Sequence, residues 1–273
     1  MITVLIRCSD DFRVFDCIDS IKKSSSECRI IVSLTSNKTL EKKMKTDKVT
    51  YCEVPKCNAA ITNLEGLKLV RTNKVIITDC DTIFEKKAIN LLDKALDKYD
   101  VVKPRLIFRL KVFPGYFSPA ANLRTFFNDN DEKMYIPGIS FRMDIKDKIG
   151  GYFFDKNITW GEDSEFSDRV TQYKLKTKVI NKALLYHPSV GAVHDLTDAF
   201  LIGLKKYKSK SKTNVLAKRL KFCVKLLTTF GIPTVLYGIL WYSLFDIGKV
   251  IAKTKKLQRQ AELISWKVLK EKK

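Results

Sequence analysis

The sequence predicts an α/β domain with a largely parallel sheet over residues 1–204, followed by a basic and apolar helical tail over residues 205–273. Two observations predict the domain: β-rich apolar runs alternate with segments of helical spacing, and 45% of the residues are hydrophobic, enough for a buried core. A third observation predicts the tail, because the twenty residues from Leu226 to Phe245 contain no charge.

The alternation of strands and helices begins at the N-terminus. Ile2 to Ile6 is apolar and β-rich, and apolar residues at helical spacing follow over residues 12–21. Further strands are predicted at residues 30–32, 49–54 and 74–78, with a helix at residues 61–70. In a sheet of this kind, ligands bind at the carboxyl ends of the strands.

The strand at residues 74–78 runs directly into Asp79-Cys80-Asp81, which places two carboxylates at a strand end. Carboxylate oxygens are hard ligands suited to Mg²⁺ or Mn²⁺, so the tripeptide is a candidate metal site. A turn in which Asp79 or Asp81 caps a helix beginning near Glu85 explains the same residues equally well.

Residues 101–135 combine apolar and basic groups with Pro104, Pro114 and Pro119. Because proline interrupts regular structure, this stretch predicts irregular strands and a mobile surface segment.

A second acidic motif, Gly161-Glu162-Asp163, precedes Phe166 and Val170, whose spacing predicts a helix. The helix N-terminus stabilises acids in its first turn, which lowers the pKa of a carboxylate and suits a general base. An ordinary acidic first turn is the alternative.

These motifs together resemble those of the family 2 inverting glycosyltransferases, which have a GT-A fold. The resemblance rests on the early polar loop, on the Asp-x-Asp at residues 79–81, and on Gly-Glu-Asp about 80 residues later. It covers roughly residues 1–200 and is most specific at residues 74–84 and 138–169.

The resemblance implies a nucleotide-sugar donor, a glycan or lipid-linked acceptor, and a divalent metal, Mn²⁺ or Mg²⁺. It implies Asp81 as a direct metal ligand, Asp79 beside the metal and the nucleotide ribose, and Asp163 as the base that deprotonates the acceptor. The other positions carried over are Arg7, Ser9 and Asn63 for the donor, Trp160 and Glu162 for the acceptor, and His194 for the metal.

Two features leave parts of this assignment open. The match favours His194 over His187, although a surface histidine before a helix near Asp195 would give the same pattern. The first loop departs from the usual Pro-Thr-Tyr-Asn-like sequence, and the second strand lacks the usual base-reading Asp, so the base of the donor is not implied.

The charge is concentrated in the tail. The chain has 51 Lys and Arg against 30 Asp and Glu, a net charge of +21, of which residues 205–273 carry +15 and the rest of the chain +6. Basic clusters flank the uncharged run on both sides, so a single membrane span would break the positive-inside rule.

We predict that the tail binds an anionic membrane surface through a helix broken at Gly231 and Pro233, which either re-enters or lies in the interface. A tail packed on the catalytic domain is the alternative. Seven scattered cysteines and a short N-terminal apolar run predict a reducing compartment and no signal peptide, hence the cytoplasmic face of the membrane.

The leading functional hypothesis is therefore a membrane-associated glycosyltransferase. A non-catalytic GT-A-like partner in a polysaccharide assembly complex is one rival. A basic nucleic-acid-binding protein is another and fits less well, because no recognition motif accompanies the basic residues and an apolar run separates them.

Overall fold

The computed structural model describes residues 1–25, 27–35, 37–47, 49–55, 58–109, 117–129, 131, 133–158, 161–188, 191–205 and 215–252. Trp160 and most of the basic flanks of the tail lie outside these residues. Packing divides the chain into two compact units. Unit 1 comprises residues 1–107 and 128–187, and unit 2 comprises residues 108–127 and 188–273.

Unit 1 is built around a mixed sheet. Its strands are β1 Ile2–Cys8, β2 Cys28–Thr35, β3 Tyr51–Val54, β4 Lys74–Asp79, β5 Ile83–Phe84, β6 Val101–Arg109, β7 Ile139–Arg142 and β8 Thr177–Pro188. Its helices are α1 Val14–Ser24, α2 Lys38–Thr46, α3 Ala59–Leu67, α4 Ala88–Ala95, α6 Ile145–Lys148 and α7 Glu162–Gln172.

The strand order is β3-β2-β1-β4-β7-β6-β8-β5. The first four strands run parallel to one another, while β7 pairs antiparallel with both β4 and β6, and β5 pairs antiparallel with β8. The predicted strands and helices of the first 80 residues are therefore present, and the sheet is parallel in that half. The strand β1 is buried on both faces of the sheet, since the consecutive residues Val4, Leu5 and Ile6 are all fully buried.

Unit 2 is helical, with α5 Ser118–Asn128, α8 Ala192–Lys205, α9 Val215–Phe230 and α10 Ile232–Ile251. Its core joins all four helices and includes Leu123, Ala199, Leu226, Trp241 and Phe245. Because α8 packs along α10, the structural division differs from the boundary predicted after residue 204.

Two predictions about local structure have clear outcomes. The prediction of irregular structure for residues 101–135 is wrong for residues 118–128, which form the helix α5. Pro119 is compatible with this helix because it stands in the first turn, where its missing N–H costs no hydrogen bond. The predicted break in the tail is present at Gly231, which has a φ of 81° and separates α9 from α10.

Candidate active site

The candidate site lies in unit 1, at the carboxyl ends of the parallel strands β1 and β4. The register pairs Arg7 with Asp79 at the ends of these two strands. The backbone N–H of Cys80 then donates to the carbonyl oxygen of Arg7 at 3.1 Å, which continues the pairing by one residue. Two neighbouring strands thus deliver a cation and an anion to one edge of the sheet.

The Asp79-Cys80-Asp81 segment forms a fixed turn. The buried hydroxyl of Thr82 donates to the carbonyl oxygen of Asp79 at 2.8 Å. The next helix, α4, begins only at Ala88 and has no side-chain cap. The alternative in which an aspartate caps that helix is therefore wrong, and both carboxylates remain available for other partners.

His187 completes a group of three metal-ligating side chains with Asp79 and Asp81. One ligand atom from each lies within 4.8 Å of the others. The cause is the antiparallel pairing of β5 with β8, in which Ile83 faces Tyr186, so that the chain directly before β5 meets the chain directly after Tyr186. Nε2 of His187 lies 3.6 Å from Oδ1 of Asp81.

Among the described residues, the group of metal-ligating side chains does not include His194, the histidine predicted for the metal. His194 lies in α8 of unit 2, where its Nε2 is 3.6 Å from Oδ2 of Asp198, one helical turn away. Among the described residues, His187 is the histidine grouped with the Asp-x-Asp carboxylates. The sequence match picked the histidine that follows the strand by several residues, whereas the strand pairing selects the one near its end.

The chemistry of this group fits a divalent cation. Oδ1 of Asp81 is buried and accepts no hydrogen bond within the described part of the chain. Burial raises the pKa of Asp81, an effect opposed by His187 and by Arg13, whose guanidinium lies 3.4 Å from Oδ2. A buried carboxylate oxygen without a donor, beside a second carboxylate and an imidazole, is a typical environment for Mn²⁺ or Mg²⁺.

Arg7 links the Asp-x-Asp turn to the second acidic motif. Its Nε and one terminal nitrogen donate to Oδ1 of Asp79 at 3.0 and 2.6 Å, and its other terminal nitrogen donates to Oε1 of Glu162 at 2.8 Å. Burial alone would lower the pKa of Arg7, but the two carboxylates raise it, so the guanidinium stays charged. Arg7, itself predicted to bind the donor, therefore contacts Asp79, which was predicted for the donor, and Glu162, which was predicted for the acceptor.

Asp163 stands beside Glu162 in the first turn of α7, after Gly161 in a left-handed conformation with a φ of 81°. Its Oδ1 accepts from the N–H of Ser164 at 2.7 Å, and its Oδ2 accepts from the N–H of Ile136 at 3.2 Å. These bonds orient the carboxylate from two separate segments of the chain.

The predicted direction of the Asp163 pKa is wrong. Burial, together with the charge of Glu162, raises it to about 7, although Arg7 and the two backbone N–H groups act in the opposite direction. The helix N-terminus suggested a lowered pKa, but desolvation and a neighbouring like charge outweigh it. A carboxyl group with this pKa can both accept and release a proton near neutral pH.

The remaining predicted donor residues differ in their surroundings. Ser9 is exposed, and its hydroxyl donates to Asp10 at 2.9 Å. Asn63 is fully buried in α3, and neither its amide nitrogen nor its amide oxygen has a hydrogen-bond partner among the described residues. Such an amide needs a partner, because an unsatisfied buried polar group is costly.

A buried ionic cluster supports the loop before α7. Arg169 pairs with Glu165 at 2.5 Å and donates to the carbonyl oxygens of Ile149, Tyr152 and Phe153 at 2.6 to 2.8 Å. The sequence analysis assigned no function to Arg169. Its structural function explains why an arginine, with donors in a fixed fork, stands at this position.

Comparison with known proteins identifies similar folds. Neither a protein-family profile nor a curated protein matches this chain. Solved structures of S. aureus TarS do match, with TM-scores of 0.53 for residues 1–349 and 0.54 for the same fragment in complex with UDP-GlcNAc. Both are 13% identical to this chain. Each match covers 84% of this chain, together with 72% of the first structure and 73% of the second. A longer TarS structure matches 99% of this chain at 12% identity, and this chain spans only 55% of the length of that structure. The predicted fold class is confirmed.

Proposed function

We propose that this chain is a metal-dependent, inverting glycosyltransferase that transfers a sugar from a nucleotide-sugar donor to a hydroxyl of a glycan or lipid-linked acceptor while associated with a membrane. The observation that carries the proposal is the pair of acidic motifs joined by Arg7 at the carboxyl edge of the sheet. The likeness in fold to a structure that holds UDP-GlcNAc supports a nucleotide-sugar ligand.

The donor side of the site consists of Asp79, Asp81 and His187, which would hold Mn²⁺ or Mg²⁺. When bound there, such an ion would supply positive charge to offset the charge developing on the departing nucleoside diphosphate. Arg7 occupies Oδ1 of Asp79 and so limits the rotation of that carboxylate. Asp79 is thereby presented in one orientation before the donor arrives, which reduces the entropy lost on binding.

Arg7, Ser9 and Asn63 remain proposals for donor binding, with different functions. Arg7 is a positioning residue, because its contacts are to Asp79 and Glu162. Ser9 presents an exposed hydroxyl, and Asn63 a buried amide without a partner.

The acceptor side centres on Asp163 as general base. Its two backbone hydrogen bonds hold the carboxylate in place, and with a pKa of about 7 it accepts a proton from the acceptor hydroxyl more readily than an ordinary aspartate does. A single in-line displacement by that hydroxyl inverts the anomeric carbon. Glu162, bound to Arg7, positions this half of the site, and Trp160 remains a proposed acceptor contact outside the described residues.

The rival readings differ in what they require of these residues. A non-catalytic partner would need neither the grouping of Asp79, Asp81 and His187 nor a second carboxylate held by two backbone hydrogen bonds, and this favours the enzyme. A nucleic-acid-binding protein would use the basic flanks, which lie largely outside the described residues. We therefore retain catalysis as the proposed function.

A screen for metal-dependent release of nucleoside diphosphate across nucleotide sugars tests the proposal. We expect release from at least one donor when Mn²⁺ or Mg²⁺ is present, and loss of release in Asp81→Ala. Asp168→Asn, which changes another aspartate of the same unit, is the matched control and should behave as the unaltered protein. Release that continues in Asp81→Ala would contradict the proposed metal site.

A further inference from the structure

α10 has two apolar faces, one buried in unit 2 and the other exposed. Tyr237, Trp241 and Phe245 are on the buried face. At about 100° per residue, the opposite face carries six aliphatic side chains that are between 46% and 64% exposed. These six residues, here named the apolar stripe, are Ile232, Leu236, Ile239, Leu240, Ile247 and Val250.

We propose that the apolar stripe lies in the plane of an anionic lipid surface, so that α10 runs parallel to the membrane and does not cross it. The inference deepens the membrane association included in the proposed function and rests on it. The stripe runs from Ile232 to Val250, and the 18 helical steps between these residues, at a rise of about 1.5 Å each, give about 27 Å. An exposed apolar surface of this length marks an interaction site.

Adjacent groups on α9 identify lipid as the occupant. Leu220, Val224 and Leu227 form a second exposed apolar row along α9 and are 48% to 67% exposed. Lys221 and Lys225 are also exposed. Each comes directly after a residue of this row, so it lies about 100° around the helix axis from that residue. Their aliphatic stems can lie along the apolar surface while their ammonium groups reach anionic headgroups.

The polar groups near the stripe are already satisfied within the protein. Ser243 lies on the same face of α10, and its hydroxyl donates to the carbonyl oxygen of Ile239 at 2.9 Å. Asp246, the one acidic residue of α10, pairs with Arg219. Since neither group needs water as a partner, the stripe can enter an interface with little loss of hydrogen bonding.

The buried face of α10 explains why the helix lies in the plane. Tyr237 donates to Asp195, a fully buried carboxylate, at 2.8 Å. Arg124 donates to the same carboxylate and to Asp198 at 3.1 Å. A spanning α10 would either leave Asp195 without this partner or carry the ionic cluster into hydrocarbon, and both are unfavourable.

Glycines hold α10 against α8 at very short range. A Cβ on Gly248 would lie 2.4 Å from the carbonyl oxygen of Phe200, and a Cβ on Gly203 would lie 2.1 Å from that of Phe245. The two backbones are therefore in direct contact. This contact favours a helix that stays docked in unit 2 while its outer face meets the lipid. α10 nevertheless has the length and mean hydropathy that would permit a span, so orientation must be measured.

Binding to vesicles tests the surface. The purified full-length chain should float with phosphatidylcholine vesicles that contain phosphatidylglycerol, and more weakly with pure phosphatidylcholine. Leu236→Glu should reduce binding at least about tenfold, since it removes a large aliphatic group from the lipid. Replacing both Lys221 and Lys225 by Gln should reduce binding to the anionic vesicles about 25-fold, at roughly fivefold for each lysine.

Controls separate loss of the surface from loss of the fold. Leu69→Glu introduces the same charge at an exposed leucine of unit 1 and should bind as the unaltered protein does. Leu236→Phe keeps a large apolar side chain at this position and should therefore retain binding. The circular dichroism of each variant reports whether it folds. Leu236→Glu should release nucleoside diphosphate from the donor normally. Vesicle binding without donor cleavage would count against the proposed enzyme and leave the surface standing.

Depth measurements decide the orientation. In a chain whose native Trp160, Trp241 and Trp266 are replaced by Phe, a tryptophan introduced as Leu236→Trp or Ile247→Trp is quenched by brominated lipids according to its depth. An in-plane helix places both at one shallow depth, about 5 to 10 Å below the headgroups. Depths that differ by about 16 Å, the rise over 11 residues, would show a span and overturn the proposal. Unchanged binding by Leu236→Glu, or a stable dimer that this substitution dissociates, would overturn it as well.

Discussion

Replacing Asp163 by Asn should lower activity and raise stability at the same time. As general base, the carboxylate is expected to contribute about 10²- to 10⁴-fold to the rate, and an amide cannot accept the proton. In the folded protein, however, the pKa of Asp163 is raised from 3.8 to about 7. The fold therefore disfavours the ionised form, which the catalytic step requires.

The sign of the stability effect follows from proton linkage. Because the pKa is raised in the folded state, the stability that this group contributes is present below about pH 4 and is lost as the pH rises through about 7. At about 1.36 kcal/mol per unit, a rise of about three units corresponds to about 4 kcal/mol as an upper limit. Since Asp163 is only half-buried, we expect about half of this.

The substitution also has a cost. Asn has one acceptor oxygen, so it can retain the hydrogen bond from Ser164 or the one from Ile136 but not both, at a cost of about 1 kcal/mol. This cost changes little with pH, whereas the gain grows with pH. The stability of Asp163→Asn relative to the unaltered protein should therefore increase by about 1–2 kcal/mol between about pH 5 and pH 8.

Thermal unfolding across this pH range, with transfer assayed in parallel, measures both effects. The Tm of Asp163→Asn minus the Tm of the unaltered protein should rise by about 3–6 °C between about pH 5 and pH 8. Asp168→Asn, on the same helix and paired in the native protein with Lys133 at 2.7 Å, should keep its activity and show no such gain at high pH. A Tm difference that is independent of pH would refute the raised pKa, and full turnover by Asp163→Asn would refute the assigned base.

Three further predictions test other parts of the structure. His187→Ala should weaken Mn²⁺ binding at least about tenfold in titration calorimetry, whereas His194→Ala should leave it unchanged. Arg7→Met should reduce the free energy of unfolding by about 2–3 kcal/mol, because two poorly solvated carboxylates lose their counter-charge; an unchanged denaturant midpoint would contradict this. Gly248→Ala should reduce it by about 1–3 kcal/mol through overpacking against α8, while Ser243→Ala on the outer face should not.

The features of the fold that the sequence predicted correctly are those whose physical cause lies within a few neighbouring residues. The apolar run before Asp79 forms a buried strand, and a strand followed by two aspartates places them at the carboxyl edge of a parallel sheet. The break at Gly231 likewise follows from the residue itself, since glycine readily adopts a positive φ. For such features, a short stretch of sequence contains the physical cause.

The features that the sequence did not predict depend on contacts between distant residues. His187 reaches Asp81 through the pairing of β5 with β8, which no local motif reveals. The pKa of Asp163 depends on burial and on Glu162, which overcome the effect of the helix N-terminus. The apolar stripe becomes distinct only when packing against α8 identifies the buried face of α10.

Metal-dependent binding of nucleoside diphosphate is the most direct test of the proposed donor site, because it needs neither an acceptor nor turnover. Calorimetry with the full-length protein should detect binding that requires Mn²⁺ or Mg²⁺. Binding should be lost in Asp81→Ala, retained in Asp163→Asn, and retained in His194→Ala. Binding that is independent of the metal, or equal in Asp81→Ala and the unaltered protein, would contradict the assignment of Asp79, Asp81 and His187 to the donor.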